Sequence, residues 1–181
     1  MAIISLNGTP GSGKSTLAKL LAARLGYRYY SIGELRRKHA QKQGLTLAEY
    51  NRRSEAGEED TDTEFDDYQK QLGKEEDGFV IDSRLGWHFI PGSIKLLLDA
   101  DEQVRAERLH SRESVAESAS NIDEAIAMNA RRMASDTARY EKYYQLDPWN
   151  TEHYDLVLDS TSKTPEELVA QIIEKFPALK K

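Results

Sequence analysis

The chain has 181 residues, 39% of them hydrophobic and 31% charged, with a formal net charge of −6 and no cysteine. That length suits one substantial core, the composition is that of a folded chain, and the missing cysteines exclude disulfides, a thiolate nucleophile and Cys-ligated metal. The acidic balance argues against a nucleic-acid backbone as main partner, no apolar run reaches the roughly 20 residues of a membrane helix, and MAIISLNG at the start carries no basic leader, so a cytoplasmic location is expected.

The first apolar run, AIISL at 2–6, reads as a buried strand, followed by GTPGSGKST at 8–16 and a helical pattern over 14–25. YRYYS at 27–31 predicts a second strand, and helical segments at 33–43, 46–56 and 62–74 lead to a third, GFVID at 78–82. SIKLLLD at 93–99 predicts a fourth strand, helices at 101–112 and 121–145 follow, and YDLVLD at 154–159 predicts a fifth. The last helix, 165–176, has a clear start signal, with Thr164 as N-cap, Pro165 at the first helical position and Glu167 three residues after the cap. Strands alternating with helices imply right-handed crossovers and a parallel sheet covered on both faces, a three-layer α/β core in a single domain. Residues 34–77 and 113–150 exceed what a crossover needs. Both are expected as excursions above the edge of the sheet where ligands bind in open α/β folds.

Gly8, four intervening residues and Gly13-Lys14-Ser15 satisfy the phosphate-loop pattern GxxxxGK[ST], with a strand before it and an apolar-periodic helix after it. Glycines let successive backbone N–H groups point inward, and the helix adds the positive end of its dipole. Lys14 is expected on the β and γ phosphates of a nucleoside triphosphate, and the Ser15 hydroxyl in the shell of Mg²⁺.

The arginines bear on what receives the phosphate. Arg37 lies just inside a helix, Arg84 follows the third strand, Arg108 and Arg112 are four apart, and Arg132 and Arg139 are seven apart, spacings that keep side chains on one helical face. Such arginines either converge on a site or sit as solvated residues and local ion pairs; Arg36, Arg52, Arg53, Arg105 and Arg131 fit the second description. Arg84 fits the first, because the C-terminal end of a buried strand beside Lys14 is where ligands bind. Asp82 has two readings, a carboxylate near Mg²⁺, which the phosphate loop favours, and an ordinary cap or turn residue. A neutral alcohol acceptor would need a carboxylate base, whereas a monophosphate is already ionised and needs none. His39, His88, His110 and His153 share no ligand spacing, and no metal site is expected on them.

Six stretches, GTPGSGKSTLAKLLAARLG, YYSIGELRR, GFVIDSRLGW, IKLLLDADEQVRAERLHSRE, the Arg132, Asp136, Arg139 set and DLVLDSTSKTPEELV, together resemble the nucleoside monophosphate kinases, most closely the short cytidylate kinases of archaeal type. The resemblance implies a P-loop kinase fold with a five-stranded parallel sheet in the order 2-3-1-4-5, a helical monophosphate-binding insert at 34–77 and a helical lid at 113–145. It also implies a cytoplasmic monomer that acts on free nucleotides and moves the γ-phosphoryl group of ATP to CMP or dCMP with Mg²⁺. Lys14, Arg84, Arg132 and Arg139 would then be catalytic. ATP would lie on Gly8, Gly11, Ser12, Gly13, Lys14, Ser15 and Thr16, with Arg108 beside its base, Arg112 reaching its phosphates, and the loop Ser160 to Lys163, Ser162 and Lys163 above all, as the turn bordering the adenine. Ser31, Arg37 and Arg84 would grip the monophosphate, Asp136 would approach the acceptor ribose, and Ser15 and Asp82 would serve the metal.

The insert of the longer bacterial cytidylate kinases has no room in this chain, so the resemblance assigns no base-reading residues. Asp62, Asp66 and Gln69 share one helical face in the acidic stretch 57–69. Asp66 there either accepts from the exocyclic amine of cytosine, repelling the carbonyl of uracil, or belongs to a solvated acidic face. Three alternatives remain at this stage: a kinase of the same fold for AMP, UMP or a small alcohol, a nucleotide-dependent switch or binding module, and an RNA-associated ATPase.

Overall fold

The computed structural model describes residues 1–46, 49–50, 52–53, 61–111 and 119–179, with the backbone alone at 61 and 62. Five strands, β1 (Ile3–Gly8), β2 (Arg28–Ser31), β3 (Phe79–Asp82), β4 (Ile94–Asp99) and β5 (Leu156–Asp159), form one sheet in the order β2-β3-β1-β4-β5. All four pairings are parallel, and the order is the expected one. In register, Leu6 of β1 stands beside Asp82 of β3 and Leu96 of β4, so the chain leaves β1 for the phosphate loop at the same end of the sheet where β3 delivers Asp82 and Arg84.

Around the sheet lie α1 (Lys14–Leu25), α2 (Ile32–Lys42), α3 (Thr61–Glu75), the four-residue α4 (Gly86–Phe89), α5 (Glu102–His110), α6 (Ile122–Tyr144) and α7 (Pro165–Lys175). Strand alternation decides which face each residue serves. Ile4, Leu6, Val80, Leu96, Leu98 and Leu158 join Leu17 and Leu21 of α1 and Leu168 and Ile172 of α7 in one buried cluster. Their neighbours Phe79 and Ile81 point the other way, into a cluster with Ile32 and Ala40 of α2, Phe65 and Leu72 of α3, and Tyr50. Within 34–77, the described residues Ala40, Tyr50, Phe65 and Leu72 therefore pack over one face of β3. A third cluster, Leu85, Trp87, Phe89 and Tyr140, joins α4 to the long helix α6.

The helix boundaries follow caps that the sequence carries. Ser31, Asp101, Asn121 and Thr164 each accept a backbone N–H at the start of α2, α5, α6 and α7, and Thr164 with Glu167 completes a capping box. α4 was not expected, since four residues are too few to show a helical period. Of the helix expected at 46–56, residues 49, 50, 52 and 53 are helical, Thr46 stands before the helix, and the rest lies outside the described residues. Among the described residues no helix is long and apolar enough to cross a membrane.

Candidate active site

The loop from Gly8 to Gly13 depends on glycine at Gly8, where a Cβ would stand 2.7 Å from the Leu98 carbonyl oxygen, and at two further points. Gly11 has φ +87°, and a Cβ there would stand 2.4 Å from the carbonyl oxygen of Arg105 on α5. Gly13, at φ +88°, is the N-cap of α1 and offers no side-chain acceptor, and the first turn of α1 holds no acidic residue. The helices α2, α5, α6 and α7 all spend a side chain on their first donors. Only the donors of α1, among these, are left for an external anion.

Asp82, 2% exposed at the end of β3, faces this turn. Its carboxylate contacts the Lys14 ammonium, accepts the Ser15 hydroxyl at 2.6 Å and accepts the Tyr29 hydroxyl at 3.3 Å. Burial pushes the Lys14 ammonium below its ordinary range; Arg84, Arg132 and Arg37 push it the same way, and Asp136 opposes them. Pairing with Asp82 is a further opposing influence, because a carboxylate in contact favours the charged lysine. The charged neighbours of Lys14 thus include three arginines, Arg37 from α2, Arg84 after β3 and Arg132 from α6. Arg37 and Arg132 are exposed to solvent.

Arg84 is held on several sides. Its Nε donates to Asp136 at 2.9 Å, its Nη1 donates to the Gly8 carbonyl and to Asn7 Oδ1 at 3.4 Å, and its guanidinium lies 5.1 Å from the Trp149 ring centroid. Asp136 also accepts from Arg139 Nη2 at 3.1 Å, and the same Nη2 donates to the Tyr140 hydroxyl at 2.8 Å. Asp136, expected near the acceptor ribose, therefore stands between two of the expected arginines as their shared counter-ion. Arg139 is 9% exposed and packs its guanidinium 4.7 Å from the Tyr140 ring centroid.

A cleft of about 390 Å³ opens on the other side of the loop, lined by Ser12, Gly13, Thr16, Arg108, Ser160 and Lys163 over an apolar floor of Leu17, Leu98 and Leu168. Arg108 ties its walls together, donating to Ser160 O at 2.7 Å, Ser160 Oγ at 3.0 Å and Ser12 O at 3.5 Å. Ser160, which opens the turn expected beside the adenine, faces this cleft with Lys163, and its hydroxyl also donates to Ser12 O at 2.8 Å. Arg112 lies outside the described residues. Arg105, expected in solvent, is instead largely buried: its Nε donates to Ala100 O at 2.9 Å, and Nη1 meets the Met133 sulfur of α6 at 3.4 Å. Arg36 likewise lies over the Phe65 ring, 5.5 Å from its centroid.

On the acceptor side, Ser31 is engaged as the cap of α2, accepting Glu34 N–H at 3.2 Å. Asp66, half-buried, accepts the Tyr144 hydroxyl at the far end of α6. Gln69, on the same face, is 2% exposed and already occupied, accepting from Ser83 Oγ and donating to Phe65 O at 3.2 Å. The side chain of Asp62 is not among those described. Asn7, Tyr140, Tyr144 and Trp149 are site residues that the sequence reading missed; Asn7 alone had a positional signal, as a polar residue ending a buried strand beside the loop.

The donor set fits Mg²⁺, which is held through one or two carboxylates and hydroxyls while keeping waters and phosphate oxygens; Ser15 and Asp82 are already in hydrogen-bond contact at the root of the loop. A strand-loop-helix cradle on a 2-3-1-4-5 parallel sheet, with a lysine and converging arginines at its mouth, defines the class as a P-loop kinase fold. Solved structures share it: an uncharacterized protein from Eubacterium ventriosum (TM-score 0.72, 20% identity, 98% of this chain and 99% of that one) and shikimate kinase from Bacteroides thetaiotaomicron (TM-score 0.65, 15% identity, 96% and 97%). The chain belongs to the cytidylate kinase-like family, whose model matches residues 3–162. Curated relatives include the cytidylate kinases of Methanothrix thermoacetophila, 37% identical over 87% of this chain and 88% of the relative, of Methanocella arvoryzae, 35% over 96% and 95%, and of Methanocorpusculum labreanum, 34% over 92% and 92%.

Proposed function

We propose that the chain transfers the γ-phosphoryl group of ATP to the phosphate of CMP, and of dCMP, giving ADP and the pyrimidine nucleoside diphosphate. Relatives named cytidylate kinase that align over most of both chains support the acceptor. The observation that carries the chemistry is the surplus of positive charge around a half-buried lysine: Arg37, Arg84 and Arg132, from separate parts of the chain, all bear on Lys14. Two anionic nucleotides brought together answer that surplus. A neutral alcohol would leave it largely unused.

In this reading the α1 N-terminus and Lys14 hold the donor phosphates, and the cleft beside Arg108, Ser160 and Lys163 takes the base of ATP. Mg²⁺, held by Ser15 and Asp82, would neutralise charge on the donor phosphates. Arg37 and Arg84 grip the acceptor phosphate, and Arg132 and Arg139 approach the transferring group from the lid helix. An oxygen of the acceptor phosphate forms a bond to the γ-phosphorus as the bond to the β–γ bridging oxygen breaks, and ADP leaves with that electron pair. No proton has to be removed from the acceptor, so Asp82 need not act as a base. Fixed guanidinium groups stabilise the redistributed charge without titrating, and closure of the lid over the site excludes water as a competing acceptor. Asp66, steadied by Tyr144, reads the exocyclic amine of cytosine.

A coupled assay of ADP formation across CMP, dCMP, UMP, AMP and small alcohols tests the proposal. CMP and dCMP are expected to give the highest kcat/KM, and Asp66→Asn is expected to narrow the preference for CMP over UMP. ATP splitting at one rate with or without any monophosphate would overturn the kinase reading, and an unchanged preference in Asp66→Asn would remove Asp66 from base reading.

A further inference from the structure

The segment between α6 and β5 makes a set of contacts that the scheme above leaves unused. Pro148, Trp149, His153 and Tyr154 all engage Arg84 or the residues that fix it. Trp149 lies against the guanidinium, 5.1 Å from ring centroid to carbon. Asn7, 1% exposed, accepts the Gly8 N–H at 2.8 Å and Arg84 Nη1 at 3.4 Å, while its own amide donates to Pro148 O at 2.9 Å and to the Tyr154 hydroxyl at 2.8 Å. The Tyr154 hydroxyl donates onward to Pro148 O at 2.6 Å. Burial pushes that phenol up, so it stays protonated and keeps its place as a donor. Behind Arg84, its main-chain carbonyl accepts the Trp87 indole N–H at 3.1 Å, and the Trp87 ring stacks on His153 at 4.3 Å and 15°.

An arginine that must be ordered at the moment of binding gives up part of its affinity to that ordering. Arg84 is ordered beforehand. The Asp136 contact on Nε comes from the lid helix α6, and an incoming phosphate competes for the same edge of the guanidinium. The contacts of Asn7 and Trp149 come instead from β1 and the 147–154 segment, and neither uses the Nε that Asp136 holds. A ring face holds the guanidinium plane while leaving its N–H edges available, since stacking uses none of its donors.

We propose that Trp149, with Asn7 behind it, is a positioning residue that holds the Arg84 guanidinium ready for the acceptor phosphate. The proposal rests on the reading of Arg84 as an acceptor-binding arginine. Trp149→Leu keeps apolar bulk and removes the aromatic face. It is expected to lower kcat/KM for CMP about tenfold, the scale of one desolvated cation–π contact, chiefly through KM for CMP, with KM for ATP unchanged. Trp149→Phe, which preserves the packing, is expected to raise KM for CMP only about threefold.

In an Arg84→Lys background, where the planar fork is gone, Trp149→Leu is expected to cost less than about twofold. Arg84→Ala separates the two readings. If it leaves CMP kinetics unchanged, the assignment of Arg84 fails and this proposal with it. If Arg84→Ala removes turnover while Trp149→Leu matches the parent, or costs as much with lysine at position 84 as with arginine, the positioning proposal alone is overturned. Should Trp149→Leu fail to fold, Trp149→Phe decides, and an unchanged KM for CMP in that variant overturns the proposal.

Discussion

The Asp82 carboxylate contacts the Lys14 ammonium, so the acid that ends β3 and the cation that opens α1 neutralise each other at the root of the phosphate loop. Phosphates that take Lys14 must exchange that contact for their own, while Ser15 at 2.6 Å keeps Asp82 tied to the helix start. Lys14→Ala is expected to lower kcat/KM for ATP by about two to three orders of magnitude, the scale of removing one preorganised charge-stabilising donor. Asp82→Asn keeps the shape but leaves Lys14 facing Arg84, Arg132 and Arg37 without its buried counter-ion, and a loss of about 3 kcal/mol in unfolding free energy is expected. Steady-state kinetics and urea denaturation check the two outcomes. A Lys14→Ala enzyme with parental kcat/KM would refute the placement of the donor phosphates.

The Gly11 backbone is the loop's least replaceable feature. Alanine would have to hold φ +87° and place its Cβ 2.4 Å from the Arg105 carbonyl oxygen, a backbone atom that cannot swing aside. The left-handed conformation alone costs about 1–2 kcal/mol, and relieving the overlap must move the loop away from α5. Gly11→Ala is therefore expected to lose ATP binding as well as stability, seen as a raised or unmeasurable Kd in a nucleotide titration of protein that still melts cooperatively. Parental affinity in a folded Gly11→Ala variant would contradict this account of the loop.

Much of this architecture was legible before any coordinates. Apolar runs bounded by turn residues marked all five strands to within a residue or two; the central β1, β3 and β4 are largely buried and need an unbroken apolar run, while the edge strands β2 and β5 stay partly exposed. Lys14, Arg84 and Asp82 were readable because the loop pattern and the end of a strand fix their place. What stayed hidden depends on contacts between distant segments. Nothing near Trp149 in sequence tells that it meets Arg84, and nothing in the spacing of Asp136 tells that it accepts from both Arg84 and Arg139. Arg105 was misjudged for a related reason: an arginine on a polar helix reads as solvated until the loop at Ala100 and Met133 of α6 close over it.

The helix starts imply a pH dependence of stability. Glu49, Glu124 and Glu167 are each held below the ordinary glutamate range by hydrogen bonds from Thr46, Ser120 and Thr164. A carboxyl with a lower pKa folded than unfolded adds stability that is fully present above the unfolded value and is lost as pH falls through the folded one. All three act in the same direction, so unfolding midpoints are expected to fall as pH drops below about 4.5. Glu167→Gln should flatten part of that slope while leaving the midpoint at pH 3 nearly unchanged. Thermal melts between pH 7 and 3 decide, and an equally steep slope in Glu167→Gln would show that the capping box does not contribute to it.

Asp136 joins Arg84 Nε at 2.9 Å and Arg139 Nη2 at 3.1 Å, and without it two guanidinium groups would be left close together with no shared counter-ion. Asp136→Ala is expected to cost about 2 kcal/mol, below the range for a fully buried pair because these side chains retain some contact with solvent. An anion can replace the missing carboxylate. CMP, or inorganic phosphate at higher concentration, should therefore raise the melting temperature of Asp136→Ala more than that of the parent, even as the variant starts lower. A carboxylate whose main partner was the acceptor sugar would behave differently, since its removal would weaken CMP and shrink the ligand-induced rise. Thermal shift measurements with CMP, cytidine and phosphate separate the two: a larger rise with phosphate and CMP but not with cytidine supports the counter-ion role, and a smaller rise with CMP alone contradicts it.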